Sequence, residues 1–156
     1  LRISGHIQES GDQFSFQSSN LELSGRTVWM VPRSLTFSEL FLDGNTLLLG
    51  DNATGLRFSN KVTMDQASDQ IILNLGSLGL LGGLELKKGY LSIGEGALLL
   101  GGTSLVETGG LLDLSGGNLD LDSSGTLTVQ GTFRMNSDTD LTNASSIQLQ
   151  NGTLEG

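Results

Sequence analysis

What this 156-residue chain lacks narrows its chemistry quickly. It has no cysteine, which excludes a disulfide framework and any thiol chemistry. His6 is the only histidine, so Cys/His and multi-histidine metal sites are excluded, and a Ser/His/Asp site has no placed base. Apolar runs are short: the stretch Ala97 to Leu100 falls far below the roughly 20 residues that span a membrane, so no membrane insertion is expected. Basic residues are scarce, with 8 Lys and Arg against 17 Asp and Glu and a net charge of -9. From Gly89 onward the only base is Arg134. Such a field disfavours nucleic acid and anionic lipid as partners and keeps like molecules soluble.

What is present is a repeat. Of the 22 multiples of seven, 17 are apolar, from Ile7, Phe14, Leu21 and Val28 through Leu98, Leu105, Leu112 and Leu119 to Leu154; a 37% apolar composition gives roughly eight in an unpatterned chain. A heptad first suggests a coiled coil, which needs its second apolar residue three or four positions on. Here it lies two away, as in Leu21 and Leu23, Leu84 and Leu86, Leu98 and Leu100, and Leu119 and Leu121. Spacing of two is the strand period. The following positions hold Gly, Ser, Asn or Asp, and 23 glycines are incompatible with a long helix. The unit is a strand of about four residues and a bend of about three.

Two architectures use that unit. Three such sides make a triangular coil of about 21 residues, and coils stacked in parallel make a β-solenoid; the antiparallel alternative is a β meander whose bends are hairpins, for which Asp43-Gly44 and Asn151-Gly152 are suitable. The small corner residues and short strands favour the solenoid, all-β, as one repeat domain over 1–156 of about seven coils. Two segments break the texture. Thr27 to Val31 is an unbroken apolar run ending at Pro32, expected as a buried strand or an excursion over the wall, with Trp29 a core residue rather than a ligand contact. The stretch Thr63 to Leu81 slips register, which predicts an irregular corner or a short insertion.

Carboxylates are the remaining candidates for chemistry. Asp120 and Asp122 flank an inward Leu121 and so project outward together, while Asp138 and Asp140 recur about one coil later. Stacked, the four would repel, and Ca²⁺ would relieve that repulsion; no other cofactor is expected. The run Gly116 to Asp120 lacks the glycine pattern of the calcium nonapeptide. Asp113, Asp120, Asp122 and Arg134 could be assembled into a polysaccharide-cleaving group, but no loops long enough to build a cleft are expected, so the chain is read as not an enzyme. Thr126-Leu127-Thr128 is one isolated threonine pair, not the regular array of an ice-binding solenoid. Three Asn-X-Ser/Thr triplets, at Asn52, Asn143 and Asn151, match the N-glycosylation pattern, which is common by chance in such a composition.

From Leu111 to Gly131 the texture resembles the β-helical passenger domains of bacterial autotransporters and the shafts of filamentous-haemagglutinin-like surface proteins. That resemblance implies a secreted or surface-exposed bacterial scaffold for adhesion, display or fibre formation, and carries over no functional residue. Self-association is its expected activity, with a host-surface or glycan adhesin as the alternative. Leu1 in place of Met leaves an upstream part expected, and Leu154-Glu155-Gly156 stops in repeat phase. Either the chain continues, or homo-oligomers form by end-to-end stacking.

Overall fold

A computed structural model describes residues 1–8, 20–30, 34–50, 54–136, 139–142 and 147–156, with backbone alone for 4, 6–8 and 54. Pro32, Asp138 and the triplets starting at Asn52 and Asn143 lie wholly or partly outside the described residues. Every described element is a strand, and every ladder between strands is parallel. The chain is a β-solenoid of about 6 turns, and the meander is ruled out. Asp43 and Gly44, both with positive φ, make a corner instead of a hairpin, because the strands on either side pair with other coils and not with each other.

Each turn has three faces. The first stacks the opening halves of β1 (Arg2–Gln8), β2 (Asn20–Met30), β10 (Leu84–Ile93) and β12 (Thr103–Leu114) with β4 (Glu39–Phe41), β7 (Val62–Met64), β14 (Thr126–Val129) and β17 (Ile147–Leu149). The second stacks the closing halves of those four long strands with β5 (Thr46–Leu49), β8 (Gln70–Leu73), β15 (Thr132–Met135) and β18 (Thr153–Glu155). The third is a separate six-stranded sheet of β3 (Leu35–Phe37), β6 (Thr54–Phe58), β9 (Ser77–Leu80), β11 (Ala97–Leu100), β13 (Asn118–Leu121) and β16 (Asp140–Thr142). The coil length is read from the register: Leu98 lies beside Leu119, twenty-one residues on.

The alternation of side chains builds the core. Leu98, Leu112 and Leu119 all point inward and are buried, as are Leu21, Leu84, Leu91 and Leu121. Burial of each such side chain stabilises by about 1.5–3 kcal/mol. In the early coils aromatics fill the interior: Trp29 meets Phe37 edge-on at 6.1 Å between centroids, and Phe37 stacks on Phe58. Trp29 is therefore core, but its strand is not buried throughout: Thr27 and Trp29 face in, while Val28 and Met30 are only partly buried. Among the described residues two anchors face outward: Val28 and Leu105 are only partly buried and lie outside the core, while Thr27, Trp29, Ser104 and Val106 take the inward places. Both lie in long strands that bend through a corner, where register slips between Ile3 and Gly5 against β2, and between Leu86 and Lys88 against β12. The displaced Ser104 hydroxyl accepts the Leu84 N–H at 3.0 Å, satisfying a buried donor.

The slipped stretch is an insertion. Thr46 pairs with Gln70, twenty-four residues on, whereas Tyr90 follows Gln70 by twenty. The excess lies in the corner between β7 and β8, and Asp69 holds it closed. Its buried carboxylate accepts the Gly44 N–H at 2.8 Å and the Asp65 and Gln66 N–H groups at 3.0 Å each. Three amide donors satisfy a carboxylate that would otherwise be too costly to bury. Corners elsewhere are cramped: a Cβ on Gly131 would stand 2.1 Å from the Glu107 carbonyl oxygen, which only glycine avoids.

Candidate functional site

Three polar or open features stand out on the walls of this coil. On the second face, Ser92, Asp113, Arg134 and Glu155 occupy one column of consecutive coils. Asp113 is buried and accepts the Tyr90 hydroxyl at 3.1 Å, the Arg134 Nη1 at 3.2 Å and the Ser115 hydroxyl. Arg134 turns its other edge to Glu155, donating from Nε at 2.9 Å and Nη2 at 2.8 Å. Glu155 first, and Asp113 after it, hold the guanidinium above its ordinary value. The one guanidinium bridges two carboxylates across three coils, and the opposite charges on neighbouring strands favour that register. The sequence carried a signal for it, since the three residues are spaced by twenty-one.

Of the four residues considered for polysaccharide cleavage, the fold brings only Asp113 and Arg134 together. Asp120 and Asp122 belong to the third face, at β13 and its following turn. Within the calcium quartet, Asp140 lies beside Asn118 and Asp120 beside Thr142, a diagonal offset on neighbouring strands. Asp122 turns to its own corner, accepting the Ser124 N–H and hydroxyl at 2.8 Å each. Those bonds, the hydroxyl's foremost, hold its carboxyl below the ordinary value. Among the described residues, which exclude Asp138, no three His, Asp or Glu side chains are grouped so as to hold a metal.

The second feature is a seam in the first face. β4 pairs with β2 and β7 with β10, but no ladder joins β4 to β7. Here a groove of about 590 Å³ opens, lined by Glu22, Glu39, Phe41, Lys61, Asp65 and Gln66 among others. Phe41 is 47% exposed, a planar apolar surface ringed by carboxylates. The inserted corner forms one wall, so the register slip in Thr63 to Leu81 was the legible trace of this groove; its lining residues carried no pattern of their own.

The third feature is the last coil. Leu149 and Leu154 pair with buried Val129 and Phe133, yet each is 50% exposed. They occupy core positions with no further described coil above them.

The chain matches no family model, no curated protein and no solved structure. What the bacterial-shaft resemblance shares with the structure is architecture: a parallel β-solenoid. No helix among the described residues is long and apolar enough to cross a membrane.

Proposed function

We propose that this chain is a structural scaffold, a segment of an elongated bacterial surface or extracellular shaft that acts by shape and self-association rather than by turnover. The observation that supports it best is the fold itself, one column of core residues running through about 6 stacked turns whose ladders are all parallel. A solenoid is quasi-one-dimensional, and each coil is the template for the next. An open coil edge invites a further strand. Electron microscopy and light scattering of the purified chain test the reading: lengthening rods with rising concentration support it, and salt should lengthen them further by screening the net negative charge. A monodisperse rod of fixed length at high concentration and high salt rules self-association out.

A second reading, an adhesin for glycans or another surface ligand, draws support from the groove at the seam. An exposed aromatic ring beside carboxylates offers a sugar an apolar platform and hydrogen-bond acceptors. Oligosaccharide binding lost in Phe41→Ala, with unchanged folding, would favour it. The calcium expectation is tested separately. Ca²⁺ held by Asp120, Asp122, Asp138 and Asp140 should raise Tm at millimolar concentration, and Asp122→Asn should abolish the rise; equal melting with calcium and with chelator removes it.

A further inference from the structure

Ladders carry one register through the whole third face, from β3 to β16. Between its two buried columns, those of Leu56 and Phe58, runs an outward column with one residue from each strand: Thr36, Arg57, Gly79, Leu99, Asp120 and Thr142. Reversed and laid on itself, this column meets its own complement: threonine with threonine, cation with acid, glycine with leucine. Arg57 is exposed, and among the described residues it has no ion-pair partner. Three rungs of about 4.8 Å separate it from Asp120 of its own molecule, too far for a pair. Gly79 shapes the centre of the face. A Cβ there would stand 3.0 Å from Arg57 Cγ, so the missing side chain lets the arginine stem lie flat along the wall. In the neighbouring outward column the same two central strands carry Ser77 and Ala97, small enough for a second wall to approach.

We propose that the third face pairs laterally with the same face of a second copy, about a two-fold axis that lies along the strands between β9 and β11. Arg57 of each molecule then faces Asp120 of the other, Thr36 faces Thr142, and Leu99 packs on the arginine stem that covers Gly79. Charge selects this orientation. A two-fold along the coil axis would instead set Arg57 over Arg57 and Asp120 over Asp120, like charges in contact. The other acids described on this face, Asp122 and Asp140, fall opposite β6 and β3, which carry no acid. This deepens the scaffold reading and rests on its self-association. The contact is made by the wall and not by either end of the stack; it is isologous, so it closes at two molecules and joins shafts as antiparallel pairs. Its strip of wall, about 24 Å along the stack, is small, which makes the pair a weak one.

Charge reversal tests the pair. Sedimentation equilibrium and small-angle X-ray scattering over a concentration series, at about 0.15 M salt to screen the net repulsion, should show the wild type approaching twice the monomer mass with a thicker cross-section and unchanged length. Arg57→Asp sets acid over acid twice in each pair and should raise the dimer dissociation constant at least about tenfold, as should Asp120→Arg, which sets base over base. The double variant Arg57→Asp, Asp120→Arg restores both attractions and should return to within about threefold of the wild type. Circular dichroism checks the folding of each variant, and the rescue is a result that a damaged fold does not give. If the wild type associates only by lengthening, if Arg57→Asp associates as tightly as the wild type, or if the double variant is no tighter than the single ones, the lateral pair is wrong while self-association stands. If the wild type remains monomeric across concentration and salt, the self-association of the scaffold reading falls together with it.

Discussion

The first and second faces of this coil run through the same turns, yet they respond differently to the same insertion. On the second face β5 and β8 remain paired in register across twenty-four residues. On the first face β4 and β7 separate, and a groove opens between them. The extra residues of the β7–β8 corner must go somewhere, and Asp69 decides where: its carboxylate ties the corner to the Gly44 N–H of the preceding coil and to its own Asp65 and Gln66. Beyond that clamp β8 stays in step with β5, while before it β7 pairs only with β10. Farther along, where the coils keep a spacing of twenty-one, the second face gains the reverse of a seam, a salt-bridged column from Asp113 through Arg134 to Glu155. Regular coil length thus sets whether outward side chains can build columns or only line a gap.

The largest effect that can break this contrast is in the shared core. Leu112→Asp buries a carboxylate with no partner and should remove well over about 4 kcal/mol, unfolding several coils at once because neighbours share one stack. Wild-type circular dichroism and melting for that variant would refute the inward register. Next comes the clamp. Asp69→Leu strands three amide donors and should destabilise by roughly 3 kcal/mol, while Asp69→Asn, which keeps an acceptor, should lose less. Hydrogen exchange sharpens the comparison: amides of β4, β5 and β7 should exchange faster in Asp69→Leu, while those of β12 and β15 remain protected.

Arg134→Met tests the regular region. It leaves Asp113 with Tyr90 and Ser115 alone and should lower Tm modestly, with the difference shrinking in high salt because Arg134 and Glu155 are solvent-exposed. A drop unaffected by salt would mean that the arginine's stem, not its charge, holds the coils. The smallest effect belongs to Asp122. Its carboxyl is held below the ordinary value in the folded chain, so its contribution is present above about pH 4 and is lost as pH falls through the depressed value. Asp122→Asn should therefore flatten part of the acid limb of the stability curve and leave the neutral limb nearly unchanged. An unaltered acid limb would show that Ser124 contributes nothing through that bond.

Much of the architecture was legible because period and composition act on every coil. Leu98, Leu112 and Leu119 are inward by simple alternation, and glycine-rich bends needed no tertiary information. Val28 and Leu105 face outward for a local reason. Each lies in a long strand that bends through a corner without breaking, and inward positions keep one parity through the bend, Leu21, Leu23, Thr27 and Trp29 in β2 and Ser104, Val106 and Leu112 in β12, so a step of seven lands on the outward side. The Asp113, Arg134 and Glu155 column was legible in principle from its spacing, but only once the coil length was known to hold there. The groove was not legible, since it arises from a ladder that fails to form, and Glu22, Phe41 and Lys61 are brought together by that failure alone. The same register arithmetic sets Asp120 and Asp140 diagonally on neighbouring strands: their coil advances by twenty-two residues, from Asn118 to Asp140, not by the twenty that would have put them side by side.

Parallel stacking also sets how the chain bears a load. Each coil winds about 21 residues into an axial rise of about 4.8 Å, whereas the same residues pulled straight reach roughly 70 Å. Tension applied along the axis acts on one rung at a time, peeling the hydrogen bonds of the outermost coil before those of the next. Extension would therefore come in steps of one turn, each lengthening the molecule by more than the whole stack of wound coils measures. A tether made this way dissipates sudden force by paying out chain from its ends, and rewinds on the template of the coil that held.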